Sequence, residues 1–294
     1  MNNYEGLIIK GIGGFYFVKT AGELYICKAK GIFRKDKIKP LPGDKVLISV
    51  DDNNDGIINS IKPRKNLLNR PAIANVDKIF ITISVAEPKP VLLLVDKMTV
   101  LANYINAEPI VLINKIDLSP NEAKNIQSIY MSSGIDSFCV CAKNGEGIRE
   151  IKERMQNCVS VLTGNTGVGK SSIINCLIPD LSVETNEISK ALKRGVHTTR
   201  ETTLYSVETG YIADTPGFST LTLDSNSDIN CDELDKYFYD FIPYLKNCKF
   251  SDCNHLQKNK NCGVFSAAQD GKIEQSRYNN YCLMYEEIKN QNIY

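Results

Sequence analysis

The sequence lacks any long apolar run. No stretch approaches the roughly 18 apolar residues that a membrane-spanning helix needs. It also lacks an export leader, because Met1-Asn2-Asn3-Tyr4-Glu5 has no basic segment followed by an apolar one. A cytoplasmic protein without membrane attachment is the expectation. In a reducing compartment its 10 cysteines are poor material for a disulfide framework. They are core thiols or metal ligands, and spacing must decide between the two. Histidine is scarce, with only 2 in 294 residues. Net charge is nearly absent too, at +1, but it is unevenly spread. Residues 1–70 hold 13 Lys/Arg against 7 Asp/Glu, and the remainder holds 22 against 27. A basic N-terminal module on a slightly acidic body suits an anionic partner for that module. An ordinary solvated basic face would look the same on charge alone. With 43% apolar and 23% charged residues, the chain reads as globular, in two or three domains.

What the chain does have is a glycine loop. Gly164-Asn165-Thr166-Gly167-Val168-Gly169-Lys170-Ser171, followed by Ser172, fits G-x-x-x-x-G-K-[ST]. Val159 to Leu162 reads as a buried strand before it, and Ser172 to Ile178 as a helix after it, ending at Pro179. Strand, loop and helix are the context that phosphate binding requires. Glycines let backbone N–H groups turn onto phosphate oxygens, and the helix start adds its positive dipole end. Lys170 is expected to reach the β- and γ-phosphates, and Ser171 to ligate Mg²⁺.

Five short alternating strands precede this region: Leu7–Lys10, Phe15–Lys19, Glu23–Lys28, Lys45–Val50 and Ile57–Ile61. Their spacing predicts a small closed barrel of the OB type, whose usual ligand is single-stranded nucleic acid. Phe15, Tyr16, Phe17, Tyr25 and Phe33 lie among seven basic residues from Lys19 to Lys39. Most of these aromatics are expected in the barrel core, and the loop Lys28 to Lys39 is the expected RNA contact. Lys62 to Asn66 reads as a linker. From about Arg70, strands alternate with helices: strands near 78–85, 109–113 and 137–141, and helices near 90–105, 120–132 and 147–157. Strands near 205–207 and 211–213 follow the phosphate loop. This pattern predicts a parallel, doubly wound α/β sheet with ligands at the carboxyl ends of its strands.

Three further motifs fall at those strand ends. Asn114-Lys115-Ile116-Asp117 is N-K-x-D. A carboxylate at Asp117 can accept from both N1–H and the 2-amino group of guanine, whereas adenine would leave it unpaired. Asn114 is expected to brace the base and neighbouring loops, with the Lys115 stem over the ring. Cys141-Ala142-Lys143 is expected to offer a backbone N–H to guanine O6. Asp214-Thr215-Pro216-Gly217 is D-x-x-G, with Asp214 toward Mg²⁺ and the Gly217 N–H toward the γ-phosphate. Between it and the phosphate loop lies a switch stretch, Arg194 to Arg200. Thr199 is the preferred magnesium ligand there, with Thr198 the alternative.

The motif order is unusual, because the two guanine motifs precede the phosphate loop. The domain reads as circularly permuted, an operation that preserves contacts and moves termini. The segment after Gly217 then leads straight into the C-terminal region, which it could move with nucleotide state. Phe218 stands where many GTPases have a water-orienting glutamine. Slow intrinsic hydrolysis is therefore expected, with His197 or a partner supplying the missing group beside Lys170.

Near the C-terminus, Cys248, Cys253, His255 and Cys262 fall within fifteen residues. Three thiolates and an imidazole suit one tetrahedral Zn²⁺, which would staple a loop-rich segment. Cys27, Cys139, Cys141, Cys158, Cys176, Cys231 and Cys282 read as structural. Residues 232–245 carry an apolar helical stripe, and Ile273 to Ile288 predict a second helix.

Basic barrel, permuted GTPase and Cys/Cys/His/Cys module, in that order, closely resemble one family, the ribosome small-subunit-dependent GTPase A family (RsgA, YjeQ or YloQ). The resemblance covers essentially the whole chain. Gly164–Ser172, Asn114–Asp117, Asp214–Gly217, Gly195–Thr199 and the four zinc ligands stand where the family has its motifs. Arg200 replaces a frequent third threonine, and the His255–Cys262 interval is slightly longer than usual. The resemblance implies an α/β, circularly permuted P-loop GTPase domain (70–222). It implies an OB-fold barrel before that domain (1–68) and a helical zinc-binding domain after it (223–294). It further implies hydrolysis of GTP to GDP with Mg²⁺, stimulation by the 30S subunit in its late maturation, and contact with 16S rRNA through barrel and zinc module. A monomer is expected. Two other readings remain at this point: an RNA-binding nucleotide switch without significant turnover, and a P-loop ATPase or kinase, against which Asp117 argues.

Overall fold

The computed structural model describes residues 2–31, 33, 38–51, 54–179, 202–214, 227–256 and 261–291. Its contacts divide into two compact units. One comprises residues 1–78, 151–162 and 173–219, and the other comprises 79–150, 163–172 and 220–294.

The first unit begins with the barrel strands β1 (Asn2–Ile12), β2 (Phe15–Lys19), β3 (Leu24–Ala29), β4 (Lys45–Val50) and β5 (Asp55–Ile61). β1 pairs with β2 along one half and with β4 along the other, which closes the sheet on itself. Period-2 alternation drives the closure, because Ile8, Val18, Cys27, Val46, Ile48 and Ile58 all point inward and are fully buried. Gly56 lacks a side chain for a packing reason: a Cβ there would lie 2.3 Å from the Cys27 sulfur. Burial pushes the Cys27 thiol up to about 12, so it is an inert core group.

The stretch 62–66 is not a free linker. Arg64 makes a two-pronged pair with the fully buried Asp44, at 2.7 and 2.8 Å, and donates to the Lys39 carbonyl. Lys62 pairs with Glu5 and Lys65 with Asp77. A small hairpin that the sequence pattern did not predict follows: β6 (Leu67–Asn69) and β7 (Ala72–Ala74). Gly43, at φ +89°, passes so close to β7 that a Cβ would meet the Ala74 carbonyl at 2.0 Å. The same unit holds β11 (Val159–Thr163), β12 (Thr203–Val207) and β13 (Gly210–Asp214). β13 runs parallel to β11 with Ala213 opposite Val161, and antiparallel to β12.

The second unit contains β8 (Lys78–Ser84), β9 (Glu108–Asn114) and β10 (Asp136–Cys139), in the order β10-β9-β8. The near-continuous apolar runs of β8 and β9 mark strands buried on both faces. α1 (Leu92–Tyr104) follows β8, α2 (Pro120–Ser132) follows β9 and α3 (Ile148–Met155) follows β10. α4 (Lys170–Leu177) follows the glycine loop.

The C-terminal module differs from its expected form. The stripe over 232–245 is not one helix. It is a 3₁₀ helix, Cys231–Tyr237, and a single turn, α5 (Ile242–Leu245). Pro243 explains the break, since proline is tolerated in the first turn of a helix but not in its interior. Leu234, Phe238 and Phe241 are nevertheless buried, as the stripe requires. Then come α6 (Gly263–Gln269) and the long α7 (Gln275–Gln291).

α7 carries a buried charge at its start. Arg277 is 1% exposed, bonds Asp96 of α1 at 2.7 Å and clasps Asp240 at 2.7 and 2.9 Å. Asn280 donates to the other Asp96 oxygen at 2.6 Å. Burial opposes the Arg277 charge, but Asp96 and Asp240 hold it on. Burial likewise pushes the Asp96 carboxyl up, against the pull of Arg277 and Asn280. Removing one partner of such a group strands the others. Arg277→Met is therefore expected to cost about 3–5 kcal/mol, read as a lower urea midpoint. Lys272→Ala, in an exposed pair with Asp270, should shift it by less than about 0.5 kcal/mol.

Candidate nucleotide and metal sites

β11 is buried along its whole length and delivers the chain into the glycine loop. Two loop glycines are dictated by packing as well as by phosphate chemistry. Gly164, at φ +142°, would place a Cβ 2.1 Å from the Thr82 carbonyl of β8. Gly169, at φ +96°, would place one 2.2 Å from the Asn114 amide nitrogen. Neither site admits any other residue. Ser171 and Ser172 open α4 and are exposed, as are Thr166 and Gly167. The Lys170 ammonium bonds the loop's own carbonyls, Gly164 at 2.6 Å and Asn165 at 2.8 Å. Burial lowers its pKa. A narrow cleft of about 20 Å³ lies against the loop, walled by Leu94, Val95 and Met98 of α1 and by Gly164, Asn165 and Val168.

Asn114 is where the motifs meet. It ends β9 and is 2% exposed. Its amide nitrogen donates to the Val168 carbonyl at 2.9 Å, and its amide oxygen accepts from the Ala142 N–H at 3.2 Å. One side chain thus joins the phosphate loop to the Cys141-Ala142-Lys143 loop. Lys115 adopts φ +63° and lays its ammonium on the Gly167 carbonyl at 2.8 Å and on that of Glu87. Asp117 is exposed, and Cys141, which is buried, sets its thiol 3.4 Å from an Asp117 oxygen. Cys141 is therefore more than a structural thiol, because it orients the carboxylate expected to read guanine. Ile116 is held by the Val140 carbonyl, and Lys143 is exposed.

Asp214 is the last residue of β13, directly after the residue opposite Val161. His197, Thr198, Thr199, Arg200, Gly217 and Phe218 lie outside the described residues, as do Arg34, Lys35 and Lys37 of the loop expected to touch RNA.

The four metal-ligand candidates converge. The ligand atoms of Cys248, Cys253, His255 and Cys262 all lie within 4.8 Å of one another. Cys248 Sγ is 3.5 Å from His255 Nδ1 and 3.9 Å from Cys262 Sγ, and Nδ1 is 3.3 Å from Cys262 Sγ. The Gly263 N–H points at the Cys248 sulfur and the Phe265 N–H at the Cys262 sulfur, each at 3.3 Å. Such donors suit thiolates. Burial pushes the Cys262 thiol up to about 12, so a thiolate there calls for a cation at the sulfur. The group can hold one metal ion. Sequence reasoning missed its outer support. Asp235, twenty positions away, lies 3.2 Å from His255 Nε2 and fixes which ring nitrogen faces the sulfurs. α7 adds Tyr278 to the His255 carbonyl at 2.7 Å and Tyr281 to the Asn254 carbonyl at 3.1 Å. No motif spacing signals these contacts.

A closed barrel, then a P-loop domain with its guanine motifs ahead of the loop, then a Cys/His module, defines a circularly permuted GTPase. Residues 61–224 match the family described as RsgA GTPase, and residues 5–58 match the RsgA N-terminal domain. The chain belongs to the RsgA family. It is 40% identical over 294 residues to the small ribosomal subunit biogenesis GTPase RsgA of Alkaliphilus metalliredigens, covering 99% of each chain. It is 42% identical over 286 residues to that of Clostridium novyi, covering 97% of each. Among solved structures it resembles YloQ, described as a circularly permuted GTPase, with a TM-score of 0.83 and 34% identity over 99% of this chain and 96% of that one. YjeQ from Thermotoga maritima gives 0.84 and 33%, over 98% and 99%.

Asn114→Ala would remove the amide that the Val168 carbonyl and the Ala142 N–H both bond. It is expected to weaken guanine-nucleotide binding by about 30-fold, taking roughly 1 kcal/mol for each lost bond. A fluorescent GDP titration measures this.

Proposed function

We propose that this protein is a GTPase that hydrolyses GTP to GDP and phosphate during late maturation of the 30S ribosomal subunit. The subunit stimulates it, and it binds 16S rRNA through the barrel and the metal module. It acts in the cytoplasm as a monomer. One observation carries the reading: the Asn114 amide joins Val168 of the phosphate loop to Ala142 of the loop expected at guanine O6. Phosphate and base contacts then share one frame, and the Asp117 carboxylate stands beside Cys141 to accept from guanine. The curated relatives, named as small ribosomal subunit biogenesis GTPases, support the cellular role.

Gly164 to Ser172 cradle the phosphates, and Lys170 leaves its loop carbonyls for the β- and γ-oxygens. Ser171, Asp214 and Thr199 would hold Mg²⁺, which would supply charge neutralisation on the triphosphate. The Gly217 N–H meets that group, and His197 lies in the stretch that supplies a water-orienting function. Phe218 cannot orient water, so turnover waits for the subunit. Cys248, Cys253, His255 and Cys262 hold one Zn²⁺. Three thiols and an imidazole with ligand atoms all within 4.8 Å of one another would suit that ion's preferred donors.

Three measurements test this. GTP turnover should be slow alone and rise by several decades with purified 30S subunits but not with 50S subunits. No rise would leave an RNA-binding switch instead. Asp117→Asn should lose the preference for GTP over ATP, and an unchanged preference would remove the guanine assignment. Elemental analysis should find one zinc per chain in the wild type and a sharp fall in Cys253→Ser, with a lower melting temperature.

A further inference from the structure

The barrel carries one aromatic that its core does not use. Phe17 is fully buried, and Tyr25 and Phe33 are 8% and 7% exposed, whereas Phe15 is 40% exposed. Cross-strand register sets its surroundings. Phe15 of β2 lies opposite Lys28 of β3, and Lys28 lies opposite Ile57 of β5. Phe15, Lys28 and Ile57 therefore form one outward row, all exposed, with the Lys28 ammonium 5.3 Å from the Phe15 ring centre. Phe15 and Lys28 border a cleft of about 590 Å³, also lined by Gly13, Gly14, Lys30, Ile38 and Lys39. Among the described residues, no carboxylate lines it. Gly13 and Gly14 form a two-residue hairpin turn at φ +57° and +86°, and a Cβ on either would touch nothing. The rim beside Phe15 is low and open.

An exposed ring flanked by lysines, in a cleft whose described lining is basic and apolar, fits a flat, electron-rich partner carried on an anionic chain. We propose that this face binds an unpaired RNA strand, with one base stacked on Phe15 and the adjoining phosphates on Lys28, Lys30 and Lys39. The proposal rests on the reading above that the barrel contacts rRNA. It specifies that the RNA is single-stranded there, and that Phe15 rather than the 28–39 loop alone supplies the base contact. A duplex hides its base faces within its own stack and cannot use the ring. Recognition should be tolerant of sequence, since every base offers a face to stack.

The test uses the full-length protein, a fluorescently labelled unstructured 12-nucleotide RNA and a 16-base-pair RNA duplex, titrated at several salt concentrations. Wild type should prefer the single strand. Phe15→Ala should lose about tenfold in single-strand affinity and nothing on the duplex. Phe15→Tyr should retain binding, because the ring remains. Lys28→Gln should reduce the slope of log affinity against log salt by about 0.7. All three variants should keep wild-type intrinsic GTP turnover, which separates a lost contact from a lost fold. Single-strand affinity unchanged in Phe15→Ala, or a duplex bound as well as the single strand, would overturn the stacking proposal while leaving RNA binding by the barrel intact. Failure of the wild type to bind either RNA would remove both.

Discussion

The nucleotide site depends on a single buried amide. Asn114 must donate to Val168 and accept from Ala142 at once. Aspartate cannot donate, glutamine places its amide one carbon too far, and alanine does neither. The same amide forbids a side chain at Gly169, since a Cβ would collide with its nitrogen. Positions 114, 142 and 168–169 are therefore chosen together, although 54 and 28 residues separate them along the chain. This is why permutation is harmless here. The constraint concerns which groups touch, and no part of it depends on which motif comes first in the sequence.

A second junction sits on the opposite flank of α1. Arg277 and Asn280, one helical turn apart on α7, both engage Asp96 of α1. Their neighbours on α7, Tyr278 and Tyr281, bond the carbonyls of His255 and Asn254 within the metal cluster. One helix thus grips α1 with one flank and the metal module with the other. Lys97 with Glu287, and Asn103 with the Tyr237 carbonyl, extend the same seam. A buried ion network of this kind adds little net stability over a packed apolar seam. Its effect is to fix orientation, because a planar guanidinium shared by two carboxylates tolerates one arrangement. The metal module is an extension of the α1 face rather than a tail on a hinge. Nucleotide-dependent movement passed along the chain after Gly217 would have to work against that seam.

Legibility in the sequence followed distance along the chain. The phosphate loop and N-K-x-D were legible because each completes its motif within a few consecutive residues. The metal-ligand candidates were legible because cysteine and the scarce histidine cluster. Barrel strands were readable because Ile8, Val18, Val46 and Ile48 obey period 2. Arg277 was not, because its partners are 37 and 181 residues away and a lone arginine on a helix ordinarily faces water. Asp235 was hidden for the same reason. The broken helix over 232–245 was misread because buried apolar positions kept helical spacing while Pro243 forbade the backbone. Phe15 was not distinguished from the other barrel aromatics because alternation alone does not say which outward residue will be covered. Phe17, two positions on, shares its face of the strand and is fully buried.

The two halves of the site differ in what they must do on binding. On the base side, Asn114, Lys115 and Cys141 are already held by backbone or carboxylate partners, so a guanine meets groups in place. On the phosphate side, Lys170 is bonded to its own loop. Its ammonium sits on two neutral carbonyls in a partly buried pocket that lowers its pKa. A triphosphate offers it anionic oxygens, roughly twice as favourable per bond, and the charge that burial disfavours becomes the charge the ligand needs. On the proposed reading, nucleotide binding turns a lysine that braces the loop into one that braces the ligand. The energy of that exchange scales with the negative charge presented, so the phosphate side discriminates among nucleotide states while the base side only identifies the nucleotide.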